Sequence, residues 1–254
     1  MRLRTFTLCA LATFVLVVAA PDTQAKSGTP ITACGQVVTT SAFLTRSLLC
    51  PNVSGVVVGA DGITIDLEGF TLRGGGVHYG IDDPGYDRVT VENGVLRSFD
   101  VGLYAHDSAD DVRVSNLLAS GNFFGVYISG NGASVKSSAA SGNGGGVYVQ
   151  GESARVQTVT AVGNHFDGIS IDGDAPSVRS STASGNESDG IIVAGDAAVV
   201  RSNRAEANGF SGGVSDAAGL GIEVVNGSFT TPPVGTNVAR GNDAPNECNP
   251  ASLC

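Results

Sequence analysis

The chain has 254 residues, which is enough for one sizeable domain or for one continuous array of repeats. Glycine is very frequent, with 36 residues, tryptophan is absent, and the formal net charge is −10. An acidic balance of this size argues against nucleic acid and against an anionic membrane surface as partners.

Residues 1–25 have the organisation of a secretory signal peptide. Arg2 and Arg4 precede the apolar run LCALATFVLVVAA, and Ala25 closes a site of small residues at which we expect cleavage. No later segment approaches the run of about 18 apolar residues that a membrane span needs. We therefore expect a monomeric, secreted or periplasmic protein with no transmembrane segment.

Cysteine usage supports an oxidising compartment. Cys34 and Cys50 lie near the start of the mature chain, and Cys248 and Cys254 lie at its end. In exported proteins such cysteines form disulfides, and four cysteines allow three pairings. We favour Cys34–Cys50 and Cys248–Cys254, because each pair falls within one short terminal segment.

Residues 59–242 consist of a unit that recurs about every 22 residues. Each unit opens on glycine, continues with period-2 apolar residues as in Gly168-Ile169-Ser170-Ile171, and closes on asparagine. Such self-similarity is typical of solenoids, and alternating apolar residues between Gly/Asn turns predict short strands. The closing asparagines are Asn122, Asn143, Asn164, Asn186, Asn208 and Asn242.

Three short strands in each unit predict an all-β fold, a single-stranded right-handed parallel β-helix of about eight coils. Like side chains then stack about 4.8 Å apart, and the asparagine amides hydrogen-bond along the axis while tolerating a left-handed bend. Open solenoid ends invite strand addition. We therefore predict that residues 26–58 form an N-terminal cap and that residues 243–254 form a C-terminal disulfide cap. The inward ladders are expected to contain Val126, Val147, Ile169, Ile191 and Ile222, and Ile128, Val149, Ile171, Val193 and Val224.

The segments CGQVVTT, VVVGADGITIDLEGFTLRGGG and GNDAPNECNPASLC, together with the GVxV…N units, resemble the bacterial secreted right-handed parallel β-helix repeat proteins. The resemblance covers roughly residues 33–254. It implies the fold, but no single reaction, because the repeat is shared with nitrous-oxide-reductase maturation proteins and with alginate epimerases and lyases.

The stretch YGIDDPGYD, from Tyr79 to Asp87, resembles a segment of alginate C5-epimerases. The resemblance makes Asp82, Asp83 and Asp87 catalytic candidates. The sequence departs from the family pattern, because Asp82 shifts the register and Gly85 stands where a histidine is expected. The alternative is a surface bend, since Asp-Pro-Gly is common in turns.

A column of polar residues precedes each closing asparagine by twelve positions. Its carboxylates Glu152, Asp174 and Asp196 fall on consecutive coils and repel one another when stacked. Such a column attracts a cation, and carboxylate oxygens are the ligands that calcium prefers. These three residues are therefore candidate ligands for Ca²⁺, the cofactor that the sequence suggests.

Two further columns suggest a ligand. Tyr104, Tyr127 and Tyr148 point outward on consecutive coils, where rings stack on sugars or stabilise the sheet. Basic residues flank an inward valine column, where they meet an acidic polymer or form a salt-bridge lattice. The basic candidates are Lys136, Arg155, Arg179 and Arg201.

Three functions fit these patterns. The leading hypothesis is an exported protein that binds an extracellular or cell-envelope polysaccharide along its lateral face. The alternatives are a lyase or C5-epimerase acting on uronate polymers, and an inert structural protein of the surface or envelope. A longer connection between Asn208 and Gly221 is either part of a binding site or a tolerated surface insertion.

Overall fold

This computed structural model describes residues 28–209, 219–225, 237–243 and 248–254. The predicted signal peptide and most of the longer connection after Asn208 lie outside the described residues. Within those ranges the chain forms 26 short strands and one 3₁₀ helix, Ala251–Leu253. The strands are β1 (Thr29–Ile31), β2 (Gln36–Val38), β3 (Ala42–Leu44), β4 (Leu48–Cys50), β5 (Val56–Val58), β6 (Thr64–Asp66), β7 (Thr71–Gly74), β8 (Tyr79–Asp83), β9 (Thr90–Arg97), β10 (Val101–Ala105), β11 (Arg113–Ser120), β12 (Phe124–Ser129), β13 (Ser134–Lys136), β14 (Ala139–Ser141), β15 (Gly145–Gln150), β16 (Arg155–Gln157), β17 (Thr160–Val162), β18 (Ile169–Asp172), β19 (Ser177–Arg179), β20 (Thr182–Ser184), β21 (Ile191–Ala194), β22 (Val199–Arg201), β23 (Arg204–Glu206), β24 (Ile222–Val225), β25 (Val238–Arg240) and β26 (Cys248–Asn249).

The strands coil into a right-handed parallel β-helix, as the repeat predicts. The described residues make about nine turns, close to the eight expected. Their strands form two sheets, one of ten strands with the order β2-β5-β8-β10-β12-β15-β18-β21-β24-β26 and one of sixteen strands. In the larger sheet most coils contribute two strands separated by a bend, such as β13 and β14, whereas β9 and β11 run through the bend as single strands.

The core is a set of stacked apolar columns between the sheets. Val126 pairs with Val147 and Ile128 with Val149, so both predicted ladders are confirmed in register. Their members up to Val224 are less than a tenth exposed. Because each coil buries its apolar side chains partly against the next coil, the stability of one coil depends on its neighbours.

The glycine that opens each unit is required by close packing. A Cβ on Gly125 would lie 2.6 Å from the carbonyl oxygen of Gly146, and one on Gly102 would lie 2.4 Å from that of Gly125. Any larger residue in this column would force neighbouring coils apart.

The closing asparagines form a buried hydrogen-bonded ladder, which confirms the predicted amide stacking. Asn143 Nδ2 donates to Asn164 Oδ1 at 3.1 Å, and Asn164 Nδ2 donates to Asn186 Oδ1 at 2.8 Å. The expected left-handed bend falls one residue earlier. Gly142 has a φ of 59° and Ala207 a φ of 53°, so the residue before the asparagine makes the bend and leaves the amide free to point inward.

The two disulfides join Cys34 to Cys50 and Cys248 to Cys254, as favoured from the sequence. The predicted caps contain strands of the same two sheets: β2 pairs with β5, and β26 pairs with β24. No helix in the described ranges is long and apolar enough to cross a membrane.

Candidate functional site

The outward tyrosines of the ten-stranded sheet lie directly above one another. Tyr104 is in register with Tyr127, and Tyr127 is in register with Tyr148. Each stands between two buried residues of its strand, so its ring lies on the outer surface and is partly exposed. The ring centroids of Tyr104 and Tyr127 are 5.5 Å apart.

Other rings join the three tyrosines into one continuous surface. Tyr79 lies 4.8 Å from Tyr104, and Phe124 lies 5.7 Å from Tyr127 and 4.9 Å from Tyr148. The sequence columns did not predict Tyr79 or Phe124 here, because both stand at the first position of their strands. We call this surface the aromatic face, and it consists of Tyr79, Tyr104, Tyr127, Phe124, Tyr148 and the imidazole of His106.

The aromatic face continues into two exposed phenylalanines. The Phe123 ring lies 4.8 Å from that of Phe124 and 5.9 Å from that of Phe166. Their side chains are 51% and 42% exposed, respectively. From Tyr79 to Phe166 the rings cross four coil-to-coil steps, which is about 19 Å along the axis.

Gly145 makes room for the rings at the centre of the aromatic face. A Cβ at this position would lie 2.5 Å from Phe124 Cδ1 and 2.6 Å from Tyr148 Cε2. Within the glycine run 144–146, Gly145 is the residue that keeps a side chain off the surface on which the rings lie.

Polar groups border the rings. His106 Nε2 lies 3.1 Å from Asp82 Oδ1, and the imidazole centroid is 4.1 Å from that of Tyr104. The Tyr127 hydroxyl donates to Gln150 Oε1 at 3.0 Å. The face therefore combines flat apolar rings with hydroxyl, amide, imidazole and carboxylate groups that can hydrogen-bond a ligand.

Three tyrosine hydroxyls, those of Tyr79, Tyr127 and Tyr148, are held in their protonated form. Burial is the main cause that raises the pKa of Tyr79 and Tyr127, followed by the proximity of Tyr104. Burial and the Asp167 carboxylate, which accepts a hydrogen bond from the Tyr148 hydroxyl at 3.1 Å, raise the pKa of Tyr148. Each hydroxyl thus remains a donor at neutral and mildly alkaline pH.

A buried carboxyl, that of Asp189, lies one coil beyond the partly exposed Asp167. Asp189 is 4% exposed, and its Oδ1 accepts a hydrogen bond from the Leu220 amide at 2.6 Å. Burial raises the pKa of Asp189 to about 6, and the negative charge of Asp167 adds to the shift. This carboxyl therefore changes charge near neutral pH.

The three carboxylates of the epimerase-like segment point in different directions. Asp82 is outward, in register with Tyr104, and borders the aromatic face. Asp83 is inward and 2% exposed, and its Oδ1 accepts hydrogen bonds from the Gly85 and Tyr86 amides. Asp87 lies in the following turn and accepts a hydrogen bond from the Asp110 amide at 3.0 Å. Of the three, only Asp82 lies with the aromatic rings.

The basic candidates lie on the other sheet, in two columns. Arg155 follows Ser134 and precedes Ser177 in one column. In the other, Lys136 stacks on Gln157, which is followed by Arg179 and Arg201. The tyrosines and the basic residues therefore do not form one continuous surface.

The acidic column has a structural role in the bends. Asp174 Oδ1 accepts a hydrogen bond from the Asp196 amide at 3.0 Å, and Asn131 Oδ1 accepts one from the Glu152 amide at 2.9 Å. The Asp174 and Asn131 side chains each cap the coil that follows. Within the described ranges no three His, Cys, Asp or Glu side chains gather as metal ligands, so calcium binding at Glu152, Asp174 and Asp196 stays a prediction.

Comparisons with known proteins agree with this architecture. The family model described as the right-handed beta helix region matches residues 80–238. The crystal structure of Dettilon tailspike protein aligns with a TM-score of 0.50 and 15% identity over 82% of this chain and 43% of the tailspike. At this identity the similarity supports the fold alone. No curated protein matches the sequence.

Two other solved structures align over a similar part of the chain. Pectate lyase Pel9A gives a TM-score of 0.45 and 16% identity over 83% of this chain and 72% of that protein. The Agl-KA catalytic domain gives a TM-score of 0.47 and 14% identity over 82% and 54%. The chain thus spans less than half of the tailspike and about half of the Agl-KA domain. Since the family model covers more than half of its residues, the chain belongs to the right-handed β-helix family.

Proposed function

We propose that this protein binds a polysaccharide along the aromatic face. The observation that carries the proposal is the unbroken run of ring contacts from Tyr79 through Tyr104 and Tyr127 to Phe124 and Tyr148. Aromatic faces of this kind pack against the apolar faces of sugar rings, while tyrosine hydroxyls bond their hydroxyl groups. Together with Phe123 and Phe166 the aromatic face is about 19 Å long, which suits an extended chain of sugars rather than a single one.

The fold supports such a role in two ways. First, the rings stand on strands fixed by the backbone ladder, so little conformational entropy is lost when a ligand binds. Second, the disulfides Cys34–Cys50 and Cys248–Cys254 are typical of oxidising compartments, where extracellular and cell-envelope polysaccharides are found. We therefore infer that the protein acts outside the cytoplasm.

The test replaces Tyr104 and Tyr127 together by serine and measures retention in affinity electrophoresis through a panel of neutral, acidic and basic polysaccharides. Serine is the matched residue, because Ser170 stands in the same outward column above Tyr148. Loss of both rings removes about 1–3 kcal/mol of stacking and apolar contact, which predicts a fall in affinity of about fivefold or more.

The control is Arg155→Ser, because Ser134 and Ser177 lie above and below Arg155 in its column. The variant should keep wild-type retention, since this column lies on the other sheet. Equal retention of the tyrosine double variant and the wild type would contradict the proposal. Absence of retention on every polysaccharide would instead favour a purely structural role.

A second candidate is enzymatic and rests on the pairing of His106 Nε2 with Asp82 Oδ1 at 3.1 Å beside the rings. Such a pair moves a proton to or from a bound sugar, as lyases and epimerases require. The same polysaccharide panel tests it: product formation that His106→Gln abolishes supports catalysis, and recovery of unchanged polymer contradicts it.

A further inference from the structure

Charge is distributed unequally between the two sheets. Among the described residues, no lysine or arginine lies on a strand of the ten-stranded sheet, which carries the aromatic face. The basic residues on strands all belong to the sixteen-stranded sheet, and two others, Arg46 and Arg88, lie in turns. The strand residues are Arg73, Arg97, Arg113, Lys136, Arg155, Arg179, Arg201, Arg204 and Arg240.

Carboxylates, by contrast, surround the rings. Asp82 is partly exposed beside His106, and Asp100 and Asp107 are exposed in the turns before and after β10. Burial is the largest cause that raises the pKa of Tyr79 and Tyr127. The nearby carboxylates contribute to the same shifts, Asp82 and Asp100 at Tyr79 and Asp107 at Tyr127. The aromatic face is therefore negatively charged along its edges.

This distribution decides which kind of sugar fits. A uronate or sulfate polymer would bring negative charges next to these carboxylates with no described cation on the same sheet to neutralise them. A protonated amine on the sugar makes two favourable interactions, one with the carboxylates and one with the negative face of an aromatic ring. A neutral sugar would use the rings and leave the carboxylates without a role in binding.

We infer that the ligand of the aromatic face is a cationic polysaccharide, one rich in unacetylated amino sugars such as glucosamine. The inference rests on the proposed function and adds the chemical class of the ligand. It assigns the sugar rings to the tyrosines and the ammonium groups to the carboxylates at the edges, with Asp100 and Asp107 as the most accessible of them.

The experiment compares three hexamers by isothermal titration calorimetry: one of glucosamine, one of N-acetylglucosamine and one of galacturonate. The glucosamine hexamer should bind at least about tenfold more tightly than the acetylated one at low salt, and its advantage should shrink as sodium chloride screens the exposed carboxylates. Equal affinity for the glucosamine and acetylated hexamers, or tighter binding of galacturonate, would overturn the inference.

A matched pair of variants locates the charge effect. Replacing Asp100 and Asp107 together by asparagine should weaken glucosamine-hexamer binding about five- to tenfold, since two carboxylates beside the rings are lost. Asp174→Asn is the control, because Asn131 already fills the same capping role in that column. If the control weakens binding as much as the double variant, net charge rather than the aromatic face is responsible and the inference is wrong.

Oligolysine separates sugar recognition from general attraction between a polycation and an acidic protein. The inference predicts that the Tyr104→Ser/Tyr127→Ser variant loses the glucosamine hexamer but binds hexalysine as the wild type does. Equal loss or equal retention of both probes would overturn it. Failure of the proposed function has a different outcome, in which none of the three hexamers binds.

Discussion

Asp83 shows how one residue can belong to the scaffold although its neighbour in sequence borders the candidate site. It stands in an inward column in which Ala105 and Ile128 follow, and its side chain is 2% exposed. Its Oδ1 accepts two backbone hydrogen bonds, whereas its buried Oδ2 has no hydrogen-bond partner among the described residues. Burial therefore raises the pKa of Asp83 in spite of the two amides and the nearby His106.

The raised pKa predicts a pH-dependent penalty. In the folded state the protonated form of Asp83 is favoured, so its contribution to stability is fully present below the unfolded pKa and is lost as pH rises through the folded value. Asp83→Asn removes this dependence, because the amide does not ionise. The free energy of unfolding of the variant, relative to wild type, should therefore increase between pH 4 and pH 7, because only the wild type loses stability as Asp83 ionises.

Urea unfolding at both pH values measures this difference, and the other titrating groups cancel because they are common to both proteins. A relative stability that is the same at pH 4 and pH 7 would show that Asp83 does not bury a charge. The resemblance to an epimerase segment made both Asp82 and Asp83 catalytic candidates, but successive residues of a strand point to opposite faces, so only Asp82 is outward.

At the scale of the element, the asparagine ladder determines how the coils stack. Asn164 is fully buried and makes four ladder contacts. Its Oδ1 accepts from both the backbone amide and the side-chain amide of Asn143, and its Nδ2 donates to Asn186 Oδ1 and to the Ala140 carbonyl. Loss of this one side chain leaves the buried Asn143 backbone amide without its acceptor and removes one hydrogen bond each from Asn143 Nδ2, Asn186 Oδ1 and the Ala140 carbonyl.

Asn164→Ala should therefore reduce the free energy of unfolding by about 3 kcal/mol or more, because it removes four buried hydrogen bonds worth about 1 kcal/mol each and leaves the Asn143 amide without an acceptor. Asn131→Ala is the exposed control, since its Oδ1 accepts a single hydrogen bond from the Glu152 amide. The control should cost about 1 kcal/mol. Equal losses in the two variants, measured by urea unfolding, would mean that burial does not strengthen the ladder.

The elements were predictable from the sequence because the repeat fixes them. Once one unit is identified as a coil, each column of like residues follows, and the ladders containing Val126 and Ile128 needed no further information. The ring contacts could not be predicted from the repeat alone. The position of Phe124 between Tyr127 and Tyr148 depends on the space that Gly145 leaves, and the pairing of His106 with Asp82 depends on side-chain directions that a column pattern does not contain.

At the scale of the whole molecule, the two sheets give the solenoid two chemically different surfaces. The sequence suggested that the tyrosines and the basic residues act on one ligand, because both recur with the same period. A period fixes the height along the axis but not the direction around it. The bends between β12 and β13 turn Lys136 and its neighbours onto the other sheet, where they adjoin hydroxyl-bearing residues rather than rings.

The absence of tryptophan gives a direct test of the central claim, that the aromatic face is where polysaccharide binds. The five tyrosines are then the source of intrinsic emission, and four of them belong to this face. When the wild-type protein is titrated with an oligosaccharide that binds it in the calorimeter, tyrosine emission should change in a saturable way. The midpoint of that change should match the calorimetric affinity. Binding that saturates in the calorimeter while tyrosine emission stays constant would place the ligand elsewhere and contradict the account.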